Sequence, residues 1–173
     1  MGSFITNFQS PVGIDDLVER FEVGQSNIDI LFASAIDGWT EWTVSKDAEI
    51  GDTVFFMCAK TSKDHIRAGV NEAKRLGNRD LIFFAEEQKE KYYRYHGKIL
   101  AIGKVVDQPR QDVSEFEYQY WRSPWYARIE QIEILEKPVD ISDFRDFITV
   151  SRTGAITKLT VEQEEKLLQL IDQ

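Results

Sequence analysis

Four tryptophans are the residues best suited to contact a ligand, and they occur as two closely spaced pairs. Trp39 and Trp42 form the first pair, and Trp121 and Trp125 form the second. Both pairs lie among polar and turn-forming residues, which predicts loops. An indole in a polar loop either covers the hydrophobic core or offers a flat face on which a planar or cationic group stacks. Nucleobases are common flat ligands, so the pairs leave two interpretations open, a lid on the core and a binding platform.

Residues that carry out catalysis or bind metals form no recognisable set. His65 and His96 are far apart and Cys58 is the single cysteine, so the ligand spacing of a metal site is missing. The sequence contains no glycine-rich phosphate loop, nucleophile elbow or dinucleotide-binding motif. Carboxylates are numerous, but no two of them stand out as a catalytic pair. We therefore expect no catalytic residue, no metal site, no cofactor and no enzymatic activity.

Size and cysteine content predict the class of protein. The chain has 173 residues, and we expect a single domain over residues 1–173. One cysteine cannot form an internal disulfide, and Cys58 lies in the apolar run 54–59, where a buried thiol is typical. No apolar run approaches the roughly 20 residues needed to span a bilayer. These features predict a cytoplasmic protein without a membrane partner.

Charge is distributed unevenly along the chain. The net charge of -9 argues against broad affinity for nucleic acid, which comes from neutralising phosphates. Residues 60–98, however, hold ten Lys or Arg against six Asp or Glu, whereas residues 1–59 hold two against ten. An acidic protein with one basic segment is typical of contact with a polyanion on one side. A solvated helix face would explain the same charges, so both interpretations stay open.

The apolar pattern predicts a chain that mixes strands and helices. Strands are expected over residues 28–35, 53–59, 81–84, 98–106 and 126–135, the last with a bulge near Gln131. Helices are expected over residues 14–21 and 63–76 and from Thr160 onward, where Thr160 and Gln163 have the spacing of a capping box. Residues 107–125 should form a long loop, and residues 144–150 fit either a helical turn or a strand.

These elements interleave without strict alternation of strand and helix. We therefore expect an α+β fold, a curved mixed sheet or small β-barrel of five or six strands flanked by helices. The sheet interior should include Phe55, Ile99 and Ile129. The last helix should present Val161, Leu168 and Ile171 inward.

Several motifs occur in an order that resembles the PUA-like superfamily, and within it the EVE and YTH-type domains. The stretch GDTVFFMCAK, which begins at Gly51, is similar to the Gly-Asp strand of EVE domains. The strands HGKILAIGKVV and YARIEQIEIL follow it. The stretch from Trp125 to Ile171 is similar in layout to the C-terminal half of YTH domains, including Ser151-Arg152 before the last helix. The resemblance covers residues 28–171, and the segment 62–95 is an insertion relative to EVE domains.

The resemblance implies an aromatic pocket that holds a nucleobase, often a methylated one, flipped out of DNA or RNA. By position, Trp39 or Trp42 corresponds to the tryptophan after the first strand, and Trp121 corresponds to the one in the long loop, with Trp125 beside it. Ser34, at the end of the expected first strand, is placed to contact the base edge. Stacking on indoles would offset the cost of removing a base from its stack.

The resemblance also suggests which residues meet phosphates. Ser151 and Arg152 match a Ser-Arg motif whose arginine tends to contact the nucleic-acid backbone, although Thr153 stands where YTH domains have an acidic residue. Recognition of adenine in the YTH manner is therefore not expected. Further phosphate contacts are expected from the basic residues of the insertion, notably Lys63, Arg67 and Arg79 and also Lys74 and Arg75.

Three function hypotheses follow. The first is a binding module for a modified base in DNA or RNA, with defence against foreign DNA as its setting. The second is a nuclease, because the neighbouring ASCH branch of the superfamily includes nucleic-acid-cleaving members; its candidate residues are Lys60, Lys63, His65 and Glu86. The third is a protein-interaction domain whose loop aromatics dock a partner. A reader retains nucleic acid, a nuclease cleaves it, and an interaction module ignores it.

Overall fold

The computed structural model describes residues 2–111, 125–151 and 155–173, and these ranges contain seven strands and six helices. The strands are β1 (Ser3–Phe8), β2 (Trp39–Thr43), β3 (Thr53–Cys58), β4 (Lys98–Val105), β5 (Arg110–Gln111), β6 (Trp125–Asp140) and β7 (Ile156–Leu159). The helices are α1 (Gly13–Val23), α2 (Asn27–Asp37), α3 (Ser62–Leu76), α4 (Arg79–Tyr95), α5 (Ile141–Phe144) and α6 (Val161–Ile171). None of the helices within these ranges has the length and apolar character required to cross a bilayer.

The strands form one mixed sheet in the order β2-β6-β4-β3-β1-β7, with the two-residue strand β5 paired to β6. Only β1 and β3 run parallel within this described sheet; the other neighbours are antiparallel. The sheet curls, so that the Thr6 hydroxyl on β1 donates a 3.0 Å hydrogen bond to the Thr43 carbonyl at the end of β2. The expected α+β class is confirmed, with a curled sheet of six principal strands flanked by helices.

A bulge in β6 confirms the phase change that the sequence predicts near Gln131. Gln131 has a φ of 55°, and the register between β4 and β6 shifts between Ile102 and Lys104. Gly103 lies on β4 at this point, and a Cβ there would approach the Ile129 side chain to 2.7 Å. Glycine is therefore required where the two strands come unusually close.

The two faces of the sheet have separate cores. Phe55, Ile99 and Ile129 are all fully buried, but the predicted position inside the curled sheet holds only for Ile129. Ile129 packs in the inner core, which α2 and α4 cover with residues such as Leu31. Phe55 and Ile99 belong instead to the outer core, which α6 covers. Strand side chains alternate between faces, so each central strand contributes to both cores.

Two segments predicted as strands are helices. Residues 28–35 lie in α2. This helix begins with a capping box formed by Ser26 and Asp29, and it ends at Gly38, which has the left-handed conformation. Residues 81–84 lie in α4, where the Asn78 side chain accepts a 3.1 Å hydrogen bond from the Leu81 amide. Continuous apolar runs do not distinguish a buried strand from a buried helix, and here the caps and tertiary packing decide.

The remaining elements agree in part with the sequence analysis. The helices predicted over 14–21 and 63–76 are present as α1 and α3, and the capping box of Thr160 and Gln163 begins α6. Val161 is 68 % exposed, so its predicted inward position is wrong, whereas Leu168 and Ile171 pack against the outer core. Residues 141–144 form the helical turn α5. Strands β1 and β7 are additions that the sequence analysis did not predict.

A buried polar network joins α2 to α4. The Tyr92 hydroxyl lies 2.8 Å from Ser26 Oγ and accepts a 3.2 Å hydrogen bond from the Ile28 amide. Ser26 Oγ donates to Gln88 Oε1 at 2.5 Å, and Gln88 Nε2 donates to Asp29 at 2.9 Å. Because Ser26 carries a single hydroxyl proton, that proton goes to Gln88 and Tyr92 donates to Ser26. Each buried polar group in this network therefore has a partner.

Asp29 makes this network sensitive to acid. Burial raises the pKa of Asp29, but hydrogen bonds from Lys91, the Ser26 amide and Gln88 outweigh it, so the pKa lies below its ordinary value of 3.8. A carboxyl whose folded-state pKa is depressed stabilises the fold above its unfolded-state pKa, and this contribution disappears as pH falls through the folded-state value.

We expect the free energy of unfolding of the wild-type protein to fall more steeply than that of Asp29→Asn as the pH drops from about 6 to about 2. Urea denaturation at a series of pH values measures this difference. The matched control is Asp15→Asn, which removes an exposed carboxyl in the first turn of α1. Parallel pH profiles for wild type and Asp29→Asn would contradict the assignment.

Candidate nucleic-acid interface

Trp39 presents an exposed indole at one edge of the sheet. It is the first residue of β2, directly after Gly38 ends α2, and it is 43 % exposed. The guanidinium of Arg128 on the neighbouring strand β6 lies 4.3 Å from the ring centroid. This distance is typical of a cation–π contact, so the indole stacks a planar cation from its own chain.

Carboxylates and guanidinium groups surround this stack. Arg128 Nε donates a 2.8 Å hydrogen bond to Glu130, and the Arg128 amide donates to Asp107 at 2.8 Å. Arg110 on β5 reaches across β6 to an ion pair with Glu41 on β2 and lies 3.6 Å from Asp107. We call these six residues the Trp39 surface: Trp39, Glu41, Asp107, Arg110, Arg128 and Glu130. It contains three carboxylates and two guanidinium groups.

The two tryptophans of the first pair lie on opposite faces of the sheet. Both are on β2, so their predicted loop position is wrong. Trp42 is 7 % exposed, and its ring packs edge-on against Phe8 at 5.8 Å and Phe56 at 5.3 Å. Since positions three apart on a strand face opposite sides, Trp39 faces solvent while Trp42 lies in the inner core. The interpretation of Trp42 as a lid on the core therefore fits its position.

The other predicted pocket residues are also spread apart. Ser34 lies within α2, not at the end of a strand; it is 5 % exposed, and its hydroxyl donates a 2.6 Å hydrogen bond to the Ile30 carbonyl. Trp125 begins β6, is partly buried and packs against the inner core. Trp121 lies outside the described residues. Among the predicted pocket residues that the structure describes, Trp39 combines an exposed ring with a stacking partner.

A second surface gathers lysines around Tyr93. The ammonium groups of Lys63 on α3 and Lys89 on α4 lie 5.3 Å and 5.2 Å from the Tyr93 ring centroid. Lys60 lies beside Gly97, where its side-chain carbons are 3.9 Å from the position that a Cβ would take. Lys98 follows on β4. We call Lys60, Lys63, Lys89 and Lys98 the lysine cluster.

The pKa of His96 is affected by burial and by charges of this cluster. Burial lowers the pKa of His96 below its ordinary value, and the nearby charges of Lys63 and Lys98 lower it further. Asp140 and Asp64 act in the opposite direction without reversing the shift. His96, at the junction of α4 and β4, therefore lies near both lysines and two carboxylates, and burial is the main cause of its lowered pKa.

The lysine cluster is less neutralised than part of the basic segment around it, although Asp140 lies opposite Lys98 across the β4–β6 pair and interacts with its charge. Within the described ranges, none of its four ammonium groups forms an ion pair with Asp or Glu. The other lysines and arginines of α3 and α4 that do form ion pairs make the following contacts: Arg67 with Asp64 at 2.9 Å, Lys74 with Glu86 at 3.4 Å, Arg75 with Glu72 at 2.8 Å and Lys91 with Asp29 at 2.5 Å.

The predicted phosphate residues are therefore not gathered on one patch. Lys63 belongs to the lysine cluster, whereas Arg67 is neutralised by Asp64. Arg79 begins α4 at the other end of α3 from Lys63, and a helix of 15 residues is about 22 Å long. The Ser151 amide donates a 2.9 Å hydrogen bond to Thr157 beside β7. Arg152 lies outside the described residues.

Sequence reasoning missed Lys89 because it did not recognise α4. Lys89 and Tyr93 are four residues apart, a spacing that places side chains on one face of a helix. Residues 81–84 were expected to form a strand, so the charged residues after them had no predicted face. Recognition of Asn78 as a helix cap would have predicted the pairing of Lys89 with Tyr93.

Among the residues considered for a nuclease, Glu86 lies apart from Lys63. Lys63 lies in the first turn of α3, whereas Glu86 pairs with Lys74 near the last turn of that helix, about 16 Å further along its axis. The part of the chain that the structure describes has no cluster of three or more His, Cys, Asp or Glu able to hold a metal ion. Burial raises the pKa of the Cys58 thiol to about 12, which makes it a poor nucleophile.

A polar cavity of about 240 Å³ lies between β1, β7 and the turn before β3. Ser3 is one of its lining residues, and the Ser3 hydroxyl is buried without a hydrogen-bond partner. An ion pair of 2.5 Å joins Lys158 to Asp47 in its wall. The described members of the predicted base pocket do not line this cavity.

Comparisons with known proteins show the fold and not the function. No protein-family model and no curated protein matches the chain. A crystal structure of an Agrobacterium tumefaciens protein is similar, with a TM-score of 0.53, 12 % identity and coverage of 99 % of this chain and 93 % of that chain. At that identity the likeness shows a shared fold alone.

Two further solved structures match less well. A Rhodopseudomonas palustris protein has a TM-score of 0.46 at 11 % identity, covering 99 % of this chain and 94 % of that chain. The YTH domain of a Zygosaccharomyces rouxii protein, solved in complex with N6-methyladenosine RNA, has a TM-score of 0.38 at 9 % identity, covering 98 % and 86 %. Scores this low carry no argument about what the present chain binds.

The different positions of Trp39 and Trp42 predict different effects on stability. Trp42→Ala should lower the free energy of unfolding by about 3–5 kcal/mol, because it leaves a cavity in the inner core. Trp39→Ala should lower it by only about 0.5–1 kcal/mol, since it removes an exposed cation–π contact. Chemical denaturation of both variants measures the difference. Equal losses would show that Trp39 is also a core residue.

Proposed function

We propose that this protein is a nucleic-acid-binding module that contacts phosphates through the lysine cluster and stacks a base on Trp39. The observation that carries the proposal is the lysine cluster itself: four ammonium groups that form no ion pair in the described ranges, in a chain of net charge -9. Acidic residues do pair with Arg67, Lys74, Arg75 and Lys91 on the same two helices. Positive charge left unpaired in this way favours an anionic partner.

The size of the cluster predicts the character of the binding. Each phosphate that a lysine neutralises releases counterions, so affinity falls with salt in proportion to the number of contacts. Four contacts predict a slope of log affinity against log salt of roughly -3 to -4. Tyr93 lies between two of the ammonium groups and adds a ring on which a base or sugar can pack.

Helix α2 connects the lysine cluster to Trp39. The Tyr95 ring, next to the cluster at the end of α4, contacts Phe32 of α2 with centroids 5.6 Å apart. Trp39 follows two residues after the last residue of α2, and the seven residues from Phe32 to Trp39 correspond to about 10 Å along the helix. The two surfaces are therefore linked through α2 and its contact with Tyr95.

Recognition of a modified, flipped base is the finer part of the proposal. Its support is the sequence resemblance to EVE and YTH-type domains. Four elements expected from that resemblance occur in the expected order, namely the strands β3, β4 and β6 and the helix α6. The first strand of that resemblance is instead α2, so Ser34 is not proposed as a base contact. A buried methyl group contributes about 0.8 kcal/mol, enough for a severalfold preference.

We further propose that the protein binds nucleic acid without cleaving it and works in the cytoplasm, with defence against foreign DNA as one setting. The separation of Lys63 from Glu86 supports the first statement. The single buried cysteine supports a reducing compartment. The base, and the choice between DNA and RNA, are left to the binding experiments.

The lysine cluster can be tested with two double variants that remove the same charge. Lys63→Gln with Lys89→Gln removes two unpaired ammonium groups, whereas Lys74→Gln with Arg75→Gln removes two groups that are ion-paired. The first variant should weaken the binding of any labelled oligonucleotide and make its salt slope shallower by roughly 1.5. The second should bind like wild type. Fluorescence anisotropy at several salt concentrations measures both quantities.

Equal losses in the two double variants would show that only net charge matters and would remove the lysine cluster from the interface. Failure of the wild-type protein to retain any DNA or RNA would contradict the proposed function altogether. Cleavage of the labelled oligonucleotide would favour the nuclease hypothesis, and gel electrophoresis of the recovered probe detects it.

A further inference from the structure

Arg128 lies over one face of the Trp39 ring, and the tryptophan remains 43 % exposed. The Arg128 guanidinium is planar, positively charged and 4.3 Å from the indole centroid, where a flat ligand would stack. The same group donates a 2.8 Å hydrogen bond to Glu130. Arg128 therefore makes two interactions at once: its flat guanidinium stacks on the Trp39 ring, and its positive charge pairs with the Glu130 carboxylate.

From this arrangement we infer that the Trp39 surface selects a nucleobase that carries a fixed positive charge because a ring nitrogen is methylated. In the free protein, Arg128 occupies the stacking position on Trp39 that this base would take. This inference rests on the proposed nucleic-acid binding and specifies which base the Trp39 surface takes.

The exchange of Arg128 for a ligand depends on charge. A neutral base that displaces the guanidinium takes over the stacking but leaves Glu130 without its 2.8 Å partner and the ring without its cation. A cationic base replaces both contacts. Because cation–π attraction and carboxylate contacts act together here, the exchange is more favourable for the charged base.

The carboxylates of the surface point to a cation and not to a phosphate. Asp107 accepts hydrogen bonds from the Arg128 amide and lies 3.6 Å from Arg110, and Glu41 also pairs with Arg110. With three carboxylates against two guanidinium groups, this surface disfavours an anion. It therefore complements the lysine cluster, where the ammonium groups have no carboxylate partner in the described chain.

A nucleic acid is favoured over a basic peptide as the source of the flat cation. A peptide rich in arginine would present positive charge to the lysine cluster, which would repel it. A polyanion that carries one cationic base matches both surfaces, since its phosphates meet ammonium groups while its charged base meets the Trp39 surface.

Two isomeric modifications provide a matched test. N1-methyladenosine carries a positive charge at pH 7, whereas N6-methyladenosine has the same composition and is neutral. Each is placed at the centre of an otherwise identical short single-stranded oligonucleotide, and binding is measured by anisotropy. We expect the N1-methylated probe to bind about three- to tenfold more tightly than the N6-methylated one.

Variants separate the roles of the residues. Trp39→Ala should remove the preference for the charged probe while leaving the binding that depends on the lysine cluster. Arg128→Ala should raise the affinity for the N1-methylated probe severalfold, because it clears the ring and frees Glu130. A loss of affinity in Arg128→Ala would instead assign Arg128 to phosphate contact and overturn the inference. Glu130→Gln should reduce the preference without removing the stacking.

The outcomes distinguish this inference from the proposed function. Equal binding of the two isomers by wild type, with salt dependence retained, would overturn the inference and leave the nucleic-acid module standing. Tighter binding of an arginine-containing peptide than of either probe would assign the Trp39 surface to a protein partner and overturn it as well. Binding of neither probe at any salt concentration would contradict the proposed function itself.

Discussion

Tyr92 lies between α2 and α4 with no exposure to solvent, and its hydroxyl bonds to groups in the first turn of α2. A buried hydroxyl without such partners would destabilise the fold, so its two hydrogen bonds constrain how the helices pack. Both candidate surfaces depend on that packing. The last turns of α4 carry Tyr93 and Lys89, and the end of α2 leads directly into Trp39. The orientation of α2 on α4 therefore positions one surface relative to the other.

The two surfaces have opposite electrostatic character although each includes an aromatic ring next to cationic groups. At Tyr93 the ammonium groups are without carboxylate partners in the described ranges, and at Trp39 the guanidinium group is held by a carboxylate. The first arrangement leaves positive potential available to an anion. The second uses the cation internally, so an incoming ligand must compete with it. An aromatic ring beside cationic groups thus has a different electrostatic environment at the two surfaces because the surrounding acidic residues differ.

Strand geometry explains why closely spaced tryptophans do not form one pocket. Trp39 and Trp42 are neighbours in sequence, but β2 turns one indole outward and buries the other against Phe8 and Phe56. A loop would have allowed both rings to face the same way, and the polar residues around them suggested one. The pairing of β2 with β6 is a long-range contact between residues 39–43 and 126–130, which local composition does not encode.

The sequence by itself determined the elements whose signals are local. The helix α3 with Gly77 at its end, the capping box that begins α6, the strands β3 and β4 and the bulge at Gln131 are all visible in residue order, because caps, turns and alternation act over a few residues. The excess of positive charge in residues 60–98 is visible in the same way. Only the tertiary structure decided that residues 28–35 form a helix, since a continuous apolar run satisfies either a buried strand or a buried helix until its packing partners are known. It also decided which lysines remain without a carboxylate, because ion pairs such as Lys74 with Glu86 join separate helices and depend on how those helices pack.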